Sequence, residues 1–354
     1  MNYFKLDLKN KKQLLKHKNL FDGNLIFGAK KFHKETNRTG KGPSSGKILP
    51  ELKKVVSTKD DTKILKKYWE VVKKCPICKS TKKKLFIKRF CLQVYKCENC
   101  TVGYLSPRIK YNKAIELYSN EKSNVPIYSS KLNIRMDNIK FKYGLSLVNA
   151  LGSEKKRCLD LGTGRGVFLN VAKELGWQEC YGVDANKNWS KIFTEKKGIT
   201  LIDSTWESLN KTKFKKPFEL ISMWDALEHT YDLDYLMNFV SKNLKKNGYF
   251  MVFIPNFDSL ATKLMRNLSP TFNWKHTLHF NEESLKIMSK KYNLKCVHFE
   301  TAVSEIDNIK SYLSGKWPYD GYGDPENNFK FITPEFLHQK KLGSRILALY
   351  KLKS

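Results

Sequence analysis

From Arg157 onward the chain alternates short apolar runs with stretches whose apolar residues recur at helical spacing. The runs at 157–161, 180–184, 199–203, 218–224 and 249–254 are nearly uninterrupted, as strands buried on both faces require. Helical patterns fill the gaps at about 166–175, 187–197 and 232–245. Strand and helix in alternation imply βαβ units on a parallel sheet, so the expected class is α/β with the element order of a doubly wound, Rossmann-like nucleotide-binding fold. A last run, Arg345 to Lys351, is expected at the sheet's edge. Residues 256–281 break the alternation with an aromatic, histidine-bearing insertion, expected on the substrate side.

Upstream the pattern changes. A helical stretch, Lys113 to Tyr118, a polar loop to Tyr128 and an amphipathic helix at about Leu132 to Leu151 lead into the first strand; Ile134, Ile139, Leu145 and Val148 fall on one helical face. Before them stands Cys75-Pro76-Ile77-Cys78, then a segment that suits a β-hairpin, then Cys97-Glu98-Asn99-Cys100. Two Cys-x-x-Cys pairs at this distance form the zinc-ribbon pattern, in which two knuckle turns aim four thiolates at one ion. Four sulfurs close a tetrahedral site, so the metal expected at Cys75, Cys78, Cys97 and Cys100 is a structural Zn²⁺. Residues 1–74 carry 20 Lys+Arg against 7 Asp+Glu, and 34–46 are rich in Gly, Ser, Thr, Asn and Lys; this is read as a basic, partly mobile extension that covers or tethers. The domain reading is therefore 1–74 extension, 75–110 zinc ribbon, 111–156 linking helices over the cofactor site and 157–354 main domain.

Composition changes this picture little. At 354 residues and 41% hydrophobic the chain can fill one α/β core and a smaller module. No apolar run is long enough to span a membrane and the N-terminus lacks a signal-peptide core, so a soluble cytoplasmic protein is expected, with no membrane insertion. The net charge of +32 invites a nucleic-acid partner. Only eight of the 66 basic residues are arginine, however, and lysine is spread over nearly every segment, so nucleic acid is not favoured. Oligomeric state cannot be read from the sequence.

The chemistry concentrates at Cys158-Leu-Asp160-Leu-Gly162-Thr163-Gly164-Arg165-Gly166, which reads as strand, tight glycine loop and helix start. Asp184 ends the next strand, where a carboxylate can accept both hydroxyls of a ribose. A dinucleotide loop would have Gly-x-Gly-x-x-Gly, and Val167 breaks that spacing. The string 159–166 resembles instead the S-adenosylmethionine (SAM) loop of class I methyltransferases. Trp224-Asp225-Ala226-Leu227-Glu228-His229 resembles the strand-four motif of the bacterial branch that includes quinone-type O-methyltransferases. Trp274 to Phe280, with Glu283-Ser284-Leu285, resembles its His-rich substrate loop and next helix. Cys97-x-x-Cys100 followed by Gly103 and Ser106-Pro107-Arg108 is similar to the zinc module preceding this domain in methyltransferases of surface-polysaccharide and secondary-metabolite genes. The resemblance does not extend to residues 1–70.

The resemblance implies SAM as cofactor, held by Asp160, Gly162, Thr163, Gly164, Gly166, Asp184 and Trp224, with Asp203, Ser204, Thr205 and Trp206 at the adenine. Methyl transfer to a hydroxyl needs a base, and His229 is the first candidate, with His276 and His279 second and Glu228 orienting His229 or helping to hold a metal. The expected acceptor is a small or carbohydrate-type molecule. Sugar C-methylation, RNA methylation and a non-enzymatic zinc-stabilised binding protein are the alternatives.

Overall fold

The computed structural model describes residues 8–25, 50–57, 63–119, 131–191, 193, 197–211, 214–306, 309 and 331–353. Helix α1 (Leu8–Leu25) buries Leu14 and Phe21 against a later helix, and Lys18 pairs with Asp22 and Glu300, each at 3.1 Å. The Gly- and Ser-rich segment 34–46, expected to be mobile, lies outside the described residues, as do Ile26, Phe27 and the polar loop to Tyr128. Strand β1 (Trp69–Glu70) pairs with β5 (Arg108–Ile109), framing a hairpin of β2 (Lys83–Arg89) and β3 (Leu92–Cys97), to which β4 (Gly103–Leu105) adds. Helices α2 (Tyr111–Ser119) and α3 (Lys131–Ala150) follow. Leu145 and Val148 of α3 are fully buried, whereas Ile134, expected on the same face, is 38% exposed near the helix start.

Strand and helix then alternate through β6 (Arg157–Leu161), α4 (Val167–Glu174), β7 (Glu179–Asp184), α5 (Lys187–Ser190), β8 (Ile199–Asp203), β9 (Phe218–Trp224), α6 (Leu233–Asn243) and β10 (Leu244–Pro255). After α7 (Leu260–Met265) come β11 (Leu278–His279), α8 (Glu282–Lys291), β12 (Leu294–Ala302), α9 (Pro334–Gln339) and β13 (Arg345–Leu352). The main sheet runs β8-β7-β6-β9-β10-β13-β12, parallel from β8 to β10 and antiparallel at β10-β13 and β13-β12. This is the expected doubly wound α/β sheet. All seven residues of β9 are buried because helices and apolar side chains cover both faces.

One expectation about the sheet is corrected. β13 is not at the edge; it lies between β10 and β12, whose nine residues mix Lys295, His298 and Glu300 among apolar ones and so escape the strand pattern. The insertion 256–281 is built into a second sheet. Its β11 pairs with β4, Leu278 with Tyr104 and His279 with Gly103, so the cysteine-bearing module and the insertion share one antiparallel sheet, β11-β4-β3-β2. Among the described residues no helix is long and apolar enough to cross a membrane.

Candidate active site

The two cysteine pairs are built alike. In each, an amide four residues on closes the turn, Lys79 onto the Cys75 carbonyl at 3.0 Å and Thr101 onto the Cys97 carbonyl at 3.0 Å. Lys79 and Thr101 both take left-handed φ, 62° and 60°, without being glycine. Sγ of Cys75 lies 3.3 Å from that of Cys100, Sγ of Cys78 lies 3.5 Å from that of Cys97, and all four sulfurs fall within 4.8 Å of one another. A tetrahedron with Zn–S bonds of about 2.3 Å has edges of about 3.8 Å, so the quartet fits one ion and leaves no open position.

At the carboxyl end of β6, Gly162, Gly164 and Gly166 all have positive φ, 83°, 54° and 72°. Two of them are enforced differently. A Cβ on Gly162 would meet Cβ of Ala226 at 2.8 Å, whereas one on Gly164 would meet no atom within 4 Å, so the loop offers backbone to a ligand there. Gly166 precedes α4 without a capping side chain, which leaves the first amides of that helix unblocked. Asp184, at the end of β7, is 8% exposed; it accepts the Gly164 amide at 2.9 Å, the Asn186 amide at 2.8 Å and the Tyr118 hydroxyl at 3.2 Å. Burial raises its pKa, opposed by those bonds. Asn186 itself caps α5 by accepting from the Asn188 amide, so Asp184 is released from capping.

Helix α2, read in the sequence as a helical stretch at Lys113 to Tyr118, completes this side with two tyrosines that no motif marked. Tyr118 reaches Asp184, and the Tyr111 hydroxyl meets Thr205 Oγ1 at 2.9 Å and Glu207 at 3.0 Å. Of the residues expected at the adenine, Trp206 lies over Gly162, the Ser204 amide bonds to the Asp184 carbonyl, and Asp203 is exposed, accepting from Ser190. Asp160 is buried on Ser222 at 2.7 Å, and burial pushes its carboxyl up to about 7. Thr163 is buried in the loop. Trp224, expected at the cofactor, is packed instead among Phe141, Phe168 and Phe253, because Gly144 of α3 leaves room for its ring.

Beyond β9 the chain turns through Asp225, a non-glycine residue at φ 51°, into the single turn Leu227–His229. Glu228, His229 and His276 each aim one ligand atom into a space within 4.8 Å. The His229 Nδ1–H donates to the Lys275 carbonyl at 2.8 Å, which leaves Nε2 with a free lone pair. Burial lowers the pKa of His229 and pushes Glu228 up to about 8. Glu228 Oε2 and His276 Nδ1 are buried with no hydrogen-bond partner among the described residues. The imidazoles of His229 and His276 lie 5.0 Å apart.

His279 departs from its expected role. It sits one layer deeper, 2% exposed between Phe257 and Phe272, and burial holds its pKa near about 3. A neutral, apolar-packed ring paired through its backbone to Gly103 anchors the insertion to the cysteine module; the candidate base is narrowed to His229 and His276.

Residues 138–299 match the family model of a methyltransferase domain, a span that holds the glycine loop, Asp184 and the histidine turn. Over 98 residues the chain is 34% identical to a ubiquinone biosynthesis O-methyltransferase of Pelagibacter ubique, a stretch covering 27% of this chain and 40% of that relative. Among solved structures it is similar to a SAM-dependent methyltransferase from Archaeoglobus fulgidus, with 18% identity and a TM-score of 0.46, over 65% of this chain and 100% of the other. A possible histamine N-methyltransferase from Thermotoga maritima gives 19% identity and a TM-score of 0.40, over 62% and 91%.

Proposed function

We propose that the chain, which carries a methyltransferase domain over residues 138–299, methylates a hydroxyl of a small or carbohydrate-type acceptor with SAM as donor. One observation carries the reading: the glycine loop, Asp184 and His229 stand at the same carboxyl edge of three adjacent parallel strands, β7, β6 and β9. That edge is where ligands of doubly wound sheets bind.

SAM supplies an electrophilic methyl group on a sulfonium. The chain's part is to hold and orient. The loop amides and Asp184 suit the ribose, with Tyr118 already on the same carboxylate, and Thr205 with Trp206 suits the adenine. His229, fixed at Nδ1 by Lys275 and neutral near pH 7, can take the acceptor's proton at Nε2. His276 lines the acceptor side. Zn²⁺ on Cys75, Cys78, Cys97 and Cys100 would be structural, bracing the sheet from which β11 delivers the insertion.

His229→Asn tests the base role. Transfer of labelled methyl to a panel of phenols and free sugars should fall at least about 100-fold while SAM affinity stays within about threefold. Lost SAM binding with intact turnover of what remains bound would remove His229 from that role. The convergence of Glu228, His229 and His276 also permits a cation, a second reading that predicts loss of transfer to a chelator too weak to strip the cysteine quartet.

A further inference from the structure

Five alternating charges run across the carboxyl edge of the sheet. Arg165 of the glycine loop meets Asp137 at 2.7 Å; Asp137 meets Lys140 at 3.2 Å; Lys140 meets Asp225 at 3.4 Å; Asp225 meets Arg345 at 3.0 Å. Four elements that are far apart in sequence, the loop after β6, helix α3, the turn after β9 and strand β13, are thereby tied together. Asp137 and Lys140 are one turn apart on α3, so one helix face reaches both the loop and the turn.

The centre of the chain is Lys140. Its side chain is 13% exposed and crosses the rings of Phe141 at 4.9 Å and Phe253 at 5.2 Å, a setting in which a cation is costly unless matched. Asp137 and Asp225 match it. Asp225 in turn holds a left-handed φ that is unfavourable for a non-glycine residue, and such a residue persists only where its surroundings over-determine it. Its amide bonds to the Phe253 carbonyl at 2.7 Å, and its carboxylate is gripped by Lys140 and Arg345 from two sides. Four residues later stands His229.

We propose that Lys140 is a positioning residue: by clamping Asp225 it sets the direction of the turn that presents Glu228 and His229, and through Asp137 and Arg165 it registers that turn against the glycine loop. The inference rests on the SAM-site reading. Its consequence is that occupation of the loop is felt at His229 even when no acceptor is present.

The test uses the full chain with ¹⁵N-labelled histidine, the His229 resonance being assigned by its disappearance in His229→Asn. S-adenosylhomocysteine is the probe. In the parent, saturation should shift the His229 Nδ1–H signal. In Lys140→Met the affinity for the probe should stay within about threefold while the shift falls by at least half, and Lys140→Arg should restore it. Asp225→Asn, which keeps shape and removes the gripped charge, should reproduce the loss if Lys140→Met folds poorly. A Lys140→Met or Asp225→Asn protein whose His229 responds as the parent's does overturns the clamp. Absence of saturable probe binding to the parent overturns the SAM reading itself, and the clamp with it.

Discussion

Single residues at the site divide by how much their chemistry depends on burial. At Glu228, burial first and Asp225 second raise the pKa from 4.5 to about 8. A carboxyl raised on folding adds stability that is fully present below pH 4.5 and is lost as pH climbs through about 8. Glu228→Gln removes that dependence, so its urea midpoint should gain on the parent's between pH 5 and pH 8. At about 1.4 kcal/mol per pH unit the ceiling is about 5 kcal/mol. Parallel curves would mean that Glu228 is not buried as described. His229 obeys the opposite sign: its pKa is lowered, so the base form is already present at neutral pH and the acid limb of methyl transfer should fall below pH 6.5. The glycine loop and the Glu228-His229 turn follow strands as the sequence has them, the loop after β6 and the turn after β9. Tyr111, Tyr118 and Lys140 were not legible in the sequence, since a tyrosine or lysine on a helix carries no spacing signal until the helix is docked. Trp224 was misjudged because the sequence cannot say which way a strand-end side chain faces.

At the scale of elements, β6 and β9, buried at every residue, fall where the sequence puts them, because a continuous apolar run permits few alternatives, whereas β10 begins five residues earlier than expected, at Leu244. Sheet order was not legible for β13, since adjacency is set by crossovers and not by the run itself. The pairing of β11 with β4 was equally hidden, being two residues long and joining segments some 175 positions apart. That pairing has a consequence. Removing the metal from the cysteine quartet should loosen the insertion as well as the module, so hydrogen exchange after chelation should quicken at 274–280 along with 75–105, and the melting temperature should fall by about 5 °C or more. Quickening confined to 75–105 would separate the two. The glycine loop gives a graded pair: Gly162→Ala collides with Ala226 and should cost about 2–3 kcal/mol by urea denaturation, whereas Gly164→Ala meets open space and should cost about 1 kcal/mol of backbone strain. Equal costs would contradict the loop geometry.

For the whole molecule, the charge of +32 is the feature that most readily misleads. If lysine excess is a general bias of the sequence, RNA binding should be weak at 150 mM salt, above about 10 μM by fluorescence anisotropy; tight binding with a steep salt slope would revive an RNA acceptor. What organises the chain is the carboxyl edge of the sheet. There α2 reaches Asp184 and α3 reaches the glycine loop, while Arg345 of β13 and Lys275 of the insertion reach the turn after β9. The claim that this edge is a SAM site is met most directly by calorimetric titration of the purified full chain with SAM. One saturable site per chain is expected, weakened at least about tenfold by Asp184→Ala. No saturable heat, or an affinity indifferent to Asp184, would contradict it.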